Sequence, residues 1–143
     1  MNIDIASDLH IYDQLNLSEV ISSANKTDSK ILLVAGDISD NIDLTIYIKK
    51  ELEKYYDIVL IELGNHDRYG KSIKEVDDYV VNLNDPTFFN SKKRFYKIGN
   101  TVFISVTGWY DLKCYEHLNF SFDEAKQEWY NIKRDSEYIK HDE

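Results

Sequence analysis

The 143-residue chain fits a single domain, and its 43% hydrophobic and 13% aromatic residues favour a packed core and exclude a disordered protein. The formal net charge of −9 disfavours a general nucleic-acid binder, because an acidic surface repels a polyanion. The charge does not exclude a phosphate ester that is held at a local positive centre such as a metal ion.

Three short apolar segments predict buried parallel strands, at residues 2–7, 30–36 and 57–64. The second and third are almost continuously apolar, as a sheet that is covered on both faces requires. The segments between them carry apolar residues at helical spacing, so the alternation of strands and helices predicts an α/β fold. The two helical faces consist of Leu17, Val20, Ile21 and Ala24, and of Leu44, Ile48, Leu52 and Tyr55.

Three further elements are predicted after residue 70. Ser72 and Glu75 have the spacing of a capping box, which opens a helix. Residues 94–108 read as a hairpin of two strands around the Gly99-Asn100 turn. Residues 121–124 open a last helix. The expected apolar faces of these helices are Ile73, Val76, Val80 and Leu83, and Phe122, Ala125, Trp129 and Ile132.

Polar side chains follow each of the three predicted parallel strands. In open α/β sheets, ligands bind beyond the carboxyl ends of the strands, so these side chains are expected to share one edge of the sheet. Carboxylates gathered there would repel one another unless cations lay between them. Aspartate and asparagine are also ordinary turn and helix-capping residues, but three such blocks in succession favour a site. The side chains are Asp8 and His10, then Asp37 and Asp40, then Asn65, His66 and Asp67.

Two details refine this expectation. The spacing of Asp8 and His10 would direct both side chains inward if the segment were extended. Oxygen and imidazole ligands without a thiolate suit Mn²⁺, Fe, Zn²⁺ or Ni²⁺ rather than a structural zinc ion. The sequence therefore predicts a divalent metal site.

The three blocks together resemble those of the calcineurin-like metallophosphoesterases. The D-x-H block lies at 8–10, the G-D-x-x-D block at 36–40 and the G-N-H-D block at 64–67, each after a strand. The resemblance covers about residues 1–110. It implies a layered sheet with flanking helices, of which this chain would form the N-terminal part of the full α/β/β/α sandwich.

The resemblance also implies roles for individual residues. Asp8 and His10 would bind a first metal ion, and Asp37 would bridge it to a second. Asn65 would bind the second ion through its amide oxygen. His66 would donate a proton to the leaving-group oxygen of a phosphate ester, with Asp40 orienting its ring. Asp67 completes the block without an assigned role.

The later histidine blocks of the family are missing. The sequence has no Gly-His dipeptide, and after His66 only His117 and His141 remain, neither of which is expected to be a ligand. We therefore expect residues 1–143 to form one domain that is incomplete at its C-terminus, with one bound ion and low or no activity alone. Three explanations stay open: a truncated longer enzyme, a short form that a second chain or second copy completes, and a degenerate enzyme.

Two classes of function remain. The first is a metal-dependent phosphoesterase that acts on a phosphomonoester or diester. The second is a non-catalytic interaction protein, because half of a sandwich would expose an apolar sheet face or edge. The single cysteine, Cys114, and the lack of a signal peptide or membrane segment predict a cytoplasmic protein in a reducing compartment.

Overall fold

The computed structural model of this chain describes residues 2–24, 27–106, 108, 121–132 and 135–140. Cys114, His117 and His141 lie outside the described residues. Among the described residues, no helix is both long and apolar enough to cross a lipid bilayer.

The three predicted strands form one parallel sheet in the order β1-β2-β3. These strands are β1 (Ile3–Ala6), β2 (Ile31–Ala35) and β3 (Ile58–Glu62). The helices α1 (Gln14–Ala24) and α2 (Ile42–Leu52) connect them. The α/β class and the parallel sheet are thus confirmed, and all three strands point their carboxyl ends to the same edge.

The core lies between the sheet and the helices, and the predicted helical faces supply much of it. Val34, Val59 and Ile61 of the sheet are fully buried in one cluster with residues of these helices. The buried helical residues include Leu17, Ala24, Ile48, Leu52, Val76 and Val80. In the predicted helices before residue 84, two members of the apolar faces are exposed instead. Tyr55 lies beyond the end of α2 in a turn, and Ile73 is the first residue of its helix, so neither faces the core.

The second half of the chain follows the predicted order of elements. After a short 3-10 helix (His66–Arg68) comes α3 (Ile73–Leu83), which opens with the expected capping box. The antiparallel hairpin consists of β4 (Phe95–Ile98) and β5 (Thr101–Ile104). Gly99 has a φ of +56°, which favours glycine in this turn.

The helix that was predicted from residue 121 is α4 (Phe122–Ile132), and a short α5 (Asp135–Tyr138) follows it. In α4, Ala125 is buried but Phe122 is exposed, so the expected apolar face is only partly correct. Phe122 is the first residue of the helix and has no preceding turn to pack against. The side chains of Trp129 and Ile132 lie outside what the structure describes.

The C-terminal segment returns to the loop that follows β3. The backbone N–H of Gly70 donates to the carbonyl of Tyr138 (2.7 Å), and that of Lys140 donates to the carbonyl of Lys71 (3.1 Å). These bonds place α5 beside the residues that follow the predicted G-N-H-D block.

Candidate metal centre

The loop after β1 brings Asp8 and His10 to the loop after β2. The N–H of Asp8 donates to the carbonyl of Gly36, and that of His10 to the carbonyl of Asp37, each at 3.1 Å. The expectation of an extended segment is wrong, because Asp8 and His10 have φ values of +53° and +45°. Strain of this kind is tolerated where surrounding contacts impose it, and here the backbone bonds to the neighbouring loop do so.

Asp37 occupies a position that depends on the glycine after β3. A Cβ atom built on Gly64 would lie 1.9 Å from Oδ1 of Asp37 and 2.5 Å from its backbone nitrogen. The same Oδ1 accepts a hydrogen bond from the backbone N–H of His66 (3.1 Å). Only glycine at position 64 therefore lets the carboxylate of Asp37 lie against the next loop.

Asp8, His10 and Asp37 converge as the resemblance implied. One ligand atom from each lies within 4.8 Å of the others. Ligand atoms bonded to a single divalent ion at about 2.1 Å lie up to about 4.2 Å apart, so small side-chain adjustments would suffice. The donor set of two carboxylates and one imidazole fits a transition-metal ion.

His66 lies beside this group, and Asp40 contacts it as expected. Nδ1 of His66 donates to Oδ1 of Asp40 at 2.8 Å, since a carboxylate can only accept. The rings of His66 and His10 meet edge to face, with centroids 4.7 Å apart. His10, Asp40 and His66 therefore form a second group whose ligand atoms lie within 4.8 Å of one another.

Tyr12 is a neighbour of the site that sequence reasoning missed. Its hydroxyl lies 2.9 Å from Nδ1 of His10, which leaves Nε2 of that ring available to an ion. Burial, with the negative charges of Asp40 and Asp37, raises the pKa of Tyr12. No spacing rule singles out this tyrosine among the eleven in the chain.

Asn65 makes its contact on the side of the C-terminal segment. Its Nδ2 donates to Oδ1 of Asp135 at 2.7 Å, and the hydroxyl of Tyr69 donates to the same oxygen at 2.9 Å. Asn65 and Asp135 also line an open cavity of about 510 Å³ together with Gly36 and Gly64. Asp135 lies 70 residues from Asn65, so sequence spacing could not have paired the two.

Asp67, which had no assigned role, is a buried link between the loops. Its side chain is fully inaccessible to solvent, and burial raises its pKa although its hydrogen bonds act in the opposite direction. A carboxylate that accepts several donors joins the segments that carry them. The donors are the N–H groups of Ile38 (3.1 Å), Ser39 (3.1 Å) and Gly64 (2.9 Å) and the hydroxyl of Thr45 (2.5 Å).

Comparisons with known proteins concern the fold and the family. Among curated proteins, no sequence matches the chain. Among solved structures, the phosphopantetheinyl hydrolase from Mycobacterium tuberculosis superposes with a TM-score of 0.71 at 18% sequence identity. The match covers 96% of this chain and 54% of that one, so the chain spans about half the length of the hydrolase.

The family itself follows from the sequence comparison. A model of the calcineurin-like phosphoesterases matches residues 1–141, nearly the whole chain. The same residues contain the D-x-H, G-D-x-x-D and G-N-H-D blocks, whose side chains meet at one edge of the sheet. The chain therefore belongs to the calcineurin-like phosphoesterase family.

Proposed function

We propose that this chain carries metal-binding and acid–base groups of a metal-dependent phosphoesterase. The observation that supports this most strongly is the convergence of Asp8, His10 and Asp37 beside His66. Side chains from the loops after β1, β2 and β3 would not be expected to gather in this way for turn formation or helix capping alone.

The first metal ion would be held by Asp8, His10 and Asp37. Mn²⁺, Fe, Zn²⁺ and Ni²⁺ all suit these ligands. Asp37 would also reach a second ion with Asn65. We expect one ion in this chain at stoichiometric metal, and the second site would fill only with metal in excess. When bound, such an ion supplies electrostatic stabilisation to the charge that develops on the phosphoryl oxygens.

His66 would act as the general acid. Its Nδ1 is occupied by Asp40, so Nε2 is the nitrogen that would face the leaving-group oxygen of the substrate. The carboxylate of Asp40 stabilises the protonated ring and holds its orientation. His66 therefore gives its proton to the departing alkoxide, and Asp40 acts through His66.

The substrate would be a phosphomonoester or a phosphodiester. The net charge of −9 favours a small substrate over a long nucleic acid. Because the structural neighbour is a phosphopantetheinyl hydrolase, a phosphopantetheinyl ester belongs among the substrates to be tested. A cytoplasmic location remains a prediction from the composition.

A second candidate function is that of an interaction protein, or of a subunit whose site another chain completes. Large apolar side chains are exposed on β1, at the end of β5 and just after β5. Ile5 is 73% exposed, Ile104 76% and Val106 71%. Exposed apolar surface of this kind favours a covering layer from a second copy or another polypeptide. Light scattering tests this, since a monomer at micromolar concentration would contradict the second copy.

The enzymatic proposal is tested by hydrolysis of p-nitrophenyl and alkyl phosphate esters with and without Mn²⁺. We expect slow, Mn²⁺-dependent hydrolysis that Asp37→Asn abolishes. His66→Asn should retain the ion but lose rate, and lose more with the alkyl ester, because an alkoxide needs its proton more than p-nitrophenolate does. Hydrolysis that survives in Asp37→Asn would contradict the proposal, and bound Mn²⁺ without any hydrolysis would favour the second candidate.

A further inference from the structure

We propose that Asp135 is a positioning residue, which orients the carboxamide of Asn65 so that its oxygen can bind a metal ion. This inference rests on the proposed function, because that function makes Asn65 a ligand. Asp135 lies in α5, far from the three sequence blocks, and none of the roles assigned above includes it.

The chemistry of the contact determines the orientation of the amide. The carboxamide of Asn65 has one end that donates and one that accepts, whereas an ionised carboxylate can only accept. Asp135 must therefore face Nδ2, as it does at 2.7 Å. Because the carboxamide is planar, Oδ1 of Asn65 then points away from Asp135. Without a fixed partner, the amide could turn its nitrogen toward the ion, and the NH₂ group cannot act as a ligand.

The carboxylate of Asp135 is itself held in place. The hydroxyl of Tyr69 donates to the same Oδ1 at 2.9 Å. The hydroxyl of Tyr69 has a single proton to donate and donates it to Asp135, because a carboxylate can only accept, and this bond holds that oxygen in place. Among the described residues, neither group of candidate ligand atoms includes Asp135, which agrees with a role through Asn65.

The same C-terminal segment also supports His66. The ring of Tyr138 stacks on that of Tyr69, with centroids 4.9 Å apart, and Tyr69 lies against His66 at 4.4 Å. The backbone bond from Gly70 to Tyr138 fixes this arrangement. Residues 135–140 therefore support the G-N-H-D block and the loop after it, through the carboxylate of Asp135 and the ring of Tyr138 stacked on that of Tyr69.

The test follows the carboxamide of Asn65 by ¹H–¹⁵N NMR of the full chain, first without metal and then during titration with diamagnetic Zn²⁺. In the metal-free protein, one Asn65 amide proton should lie downfield of the amide protons of the exposed Asn82, because it is hydrogen-bonded. Asp135→Ala should remove this shift. Asp135→Asn should restore it, since the new side chain still offers an oxygen acceptor.

During the titration, Zn²⁺ in excess of the first equivalent should shift the Asn65 carboxamide in the wild-type chain, because Asn65 would contact the second ion and not the ion held by Asp8, His10 and Asp37. Asp135→Ala should move the midpoint of that shift to a Zn²⁺ concentration about 10- to 100-fold higher, the usual loss when the partner of a ligand is removed. The midpoint for Asp135→Asn should lie within about threefold of the wild-type midpoint, because asparagine still offers an oxygen acceptor. A merely electrostatic role would not be rescued by this neutral residue. Glu137→Ala, an exposed acid on the same helix, is the matched control and should change nothing.

Each outcome supports or overturns the inference. If Zn²⁺ shifts the Asn65 carboxamide equally in the wild-type chain and in Asp135→Ala, the inference is overturned and the proposed function stands. The inference is also overturned, and the proposed function is not, if Zn²⁺ does not shift the Asn65 carboxamide although Asp37→Asn abolishes Zn²⁺ binding. A chain that binds no Zn²⁺ overturns both. If Asp135→Ala does not fold, Asp135→Ser keeps a residue suited to a helix start but is too short to reach Asn65, and it carries the same expectation.

Discussion

Replacing Asp67 by alanine tests whether the buried carboxylate holds the two metal-site loops together. Asp67 joins the segment after β2 to Gly64 after β3, through donors of which Ile38 and Ser39 are fully buried and Gly64 is half-buried. Its removal leaves three backbone N–H groups without an acceptor, those of Ile38, Ser39 and Gly64. The hydroxyl of Thr45 retains a partner, because it also lies 2.9 Å from the hydroxyl of Ser39.

The magnitude follows from these three groups. A buried donor that loses its partner costs about 1–3 kcal/mol, so the two fully buried donors alone give a loss of unfolding free energy of at least about 2 kcal/mol. With a urea m-value of about 1.5 kcal/mol per M, the denaturation midpoint should fall by at least about 1.3 M. That is a large share of the stability of a domain, which is about 5–15 kcal/mol.

Urea denaturation followed by circular dichroism measures this effect. Asp78→Ala is the matched control, because Asp78 is exposed and forms an ion pair with the exposed Lys74 on the surface of α3. It should change the unfolding free energy by less than about 0.5 kcal/mol. If Asp67→Ala shifted the midpoint no more than Asp78→Ala does, Asp67 would not join the loops as described.

Two further changes give separate tests. Gly64→Ala should abolish Zn²⁺ binding measured by calorimetry, because its Cβ would lie 1.9 Å from Oδ1 of Asp37. Gly70→Ala is the control: its Cβ would meet no atom within 4 Å, so the change should strain the backbone but leave Zn²⁺ binding in place. Tyr56→Phe should reduce the loss of stability at alkaline pH. Burial and a 2.7 Å hydrogen bond to Asp4 raise the pKa of Tyr56 to about 12. Its contribution to the free energy of unfolding is therefore complete below about pH 10 and is lost as the pH rises through about 12. Equal alkaline denaturation curves for wild type and Tyr56→Phe would contradict this assignment.

The order of elements and the position of the site could be predicted from local sequence. Apolar runs such as 57–64 identify strands, and the residues that follow strands in a parallel sheet must meet at one edge. The contact between His66 and Asp40 was implied by the family resemblance and is present. The strands and their common edge depend on neighbours in sequence and on strand order, which periodicity reveals. The contact between His66 and Asp40 followed from the resemblance instead.

Other features depend on contacts between distant segments, and the sequence did not reveal them. The left-handed backbone at Asp8 and His10 arises from bonds to the loop after β2, which no local propensity encodes. Asp67 is buried because three segments direct donors at it. Asp135 reaches Asn65 only because the C-terminal segment returns to the loop after β3.

The most direct test of the account is a crystal structure of the chain soaked in Zn²⁺, with the ion located by anomalous scattering. We predict the strongest peak about 2.0–2.2 Å from an oxygen of Asp8, an oxygen of Asp37 and a ring nitrogen of His10. The absence of an ion there would contradict the proposed site. An ion bound instead by His10, Asp40 and His66 would make His66 a ligand and contradict its role as the general acid.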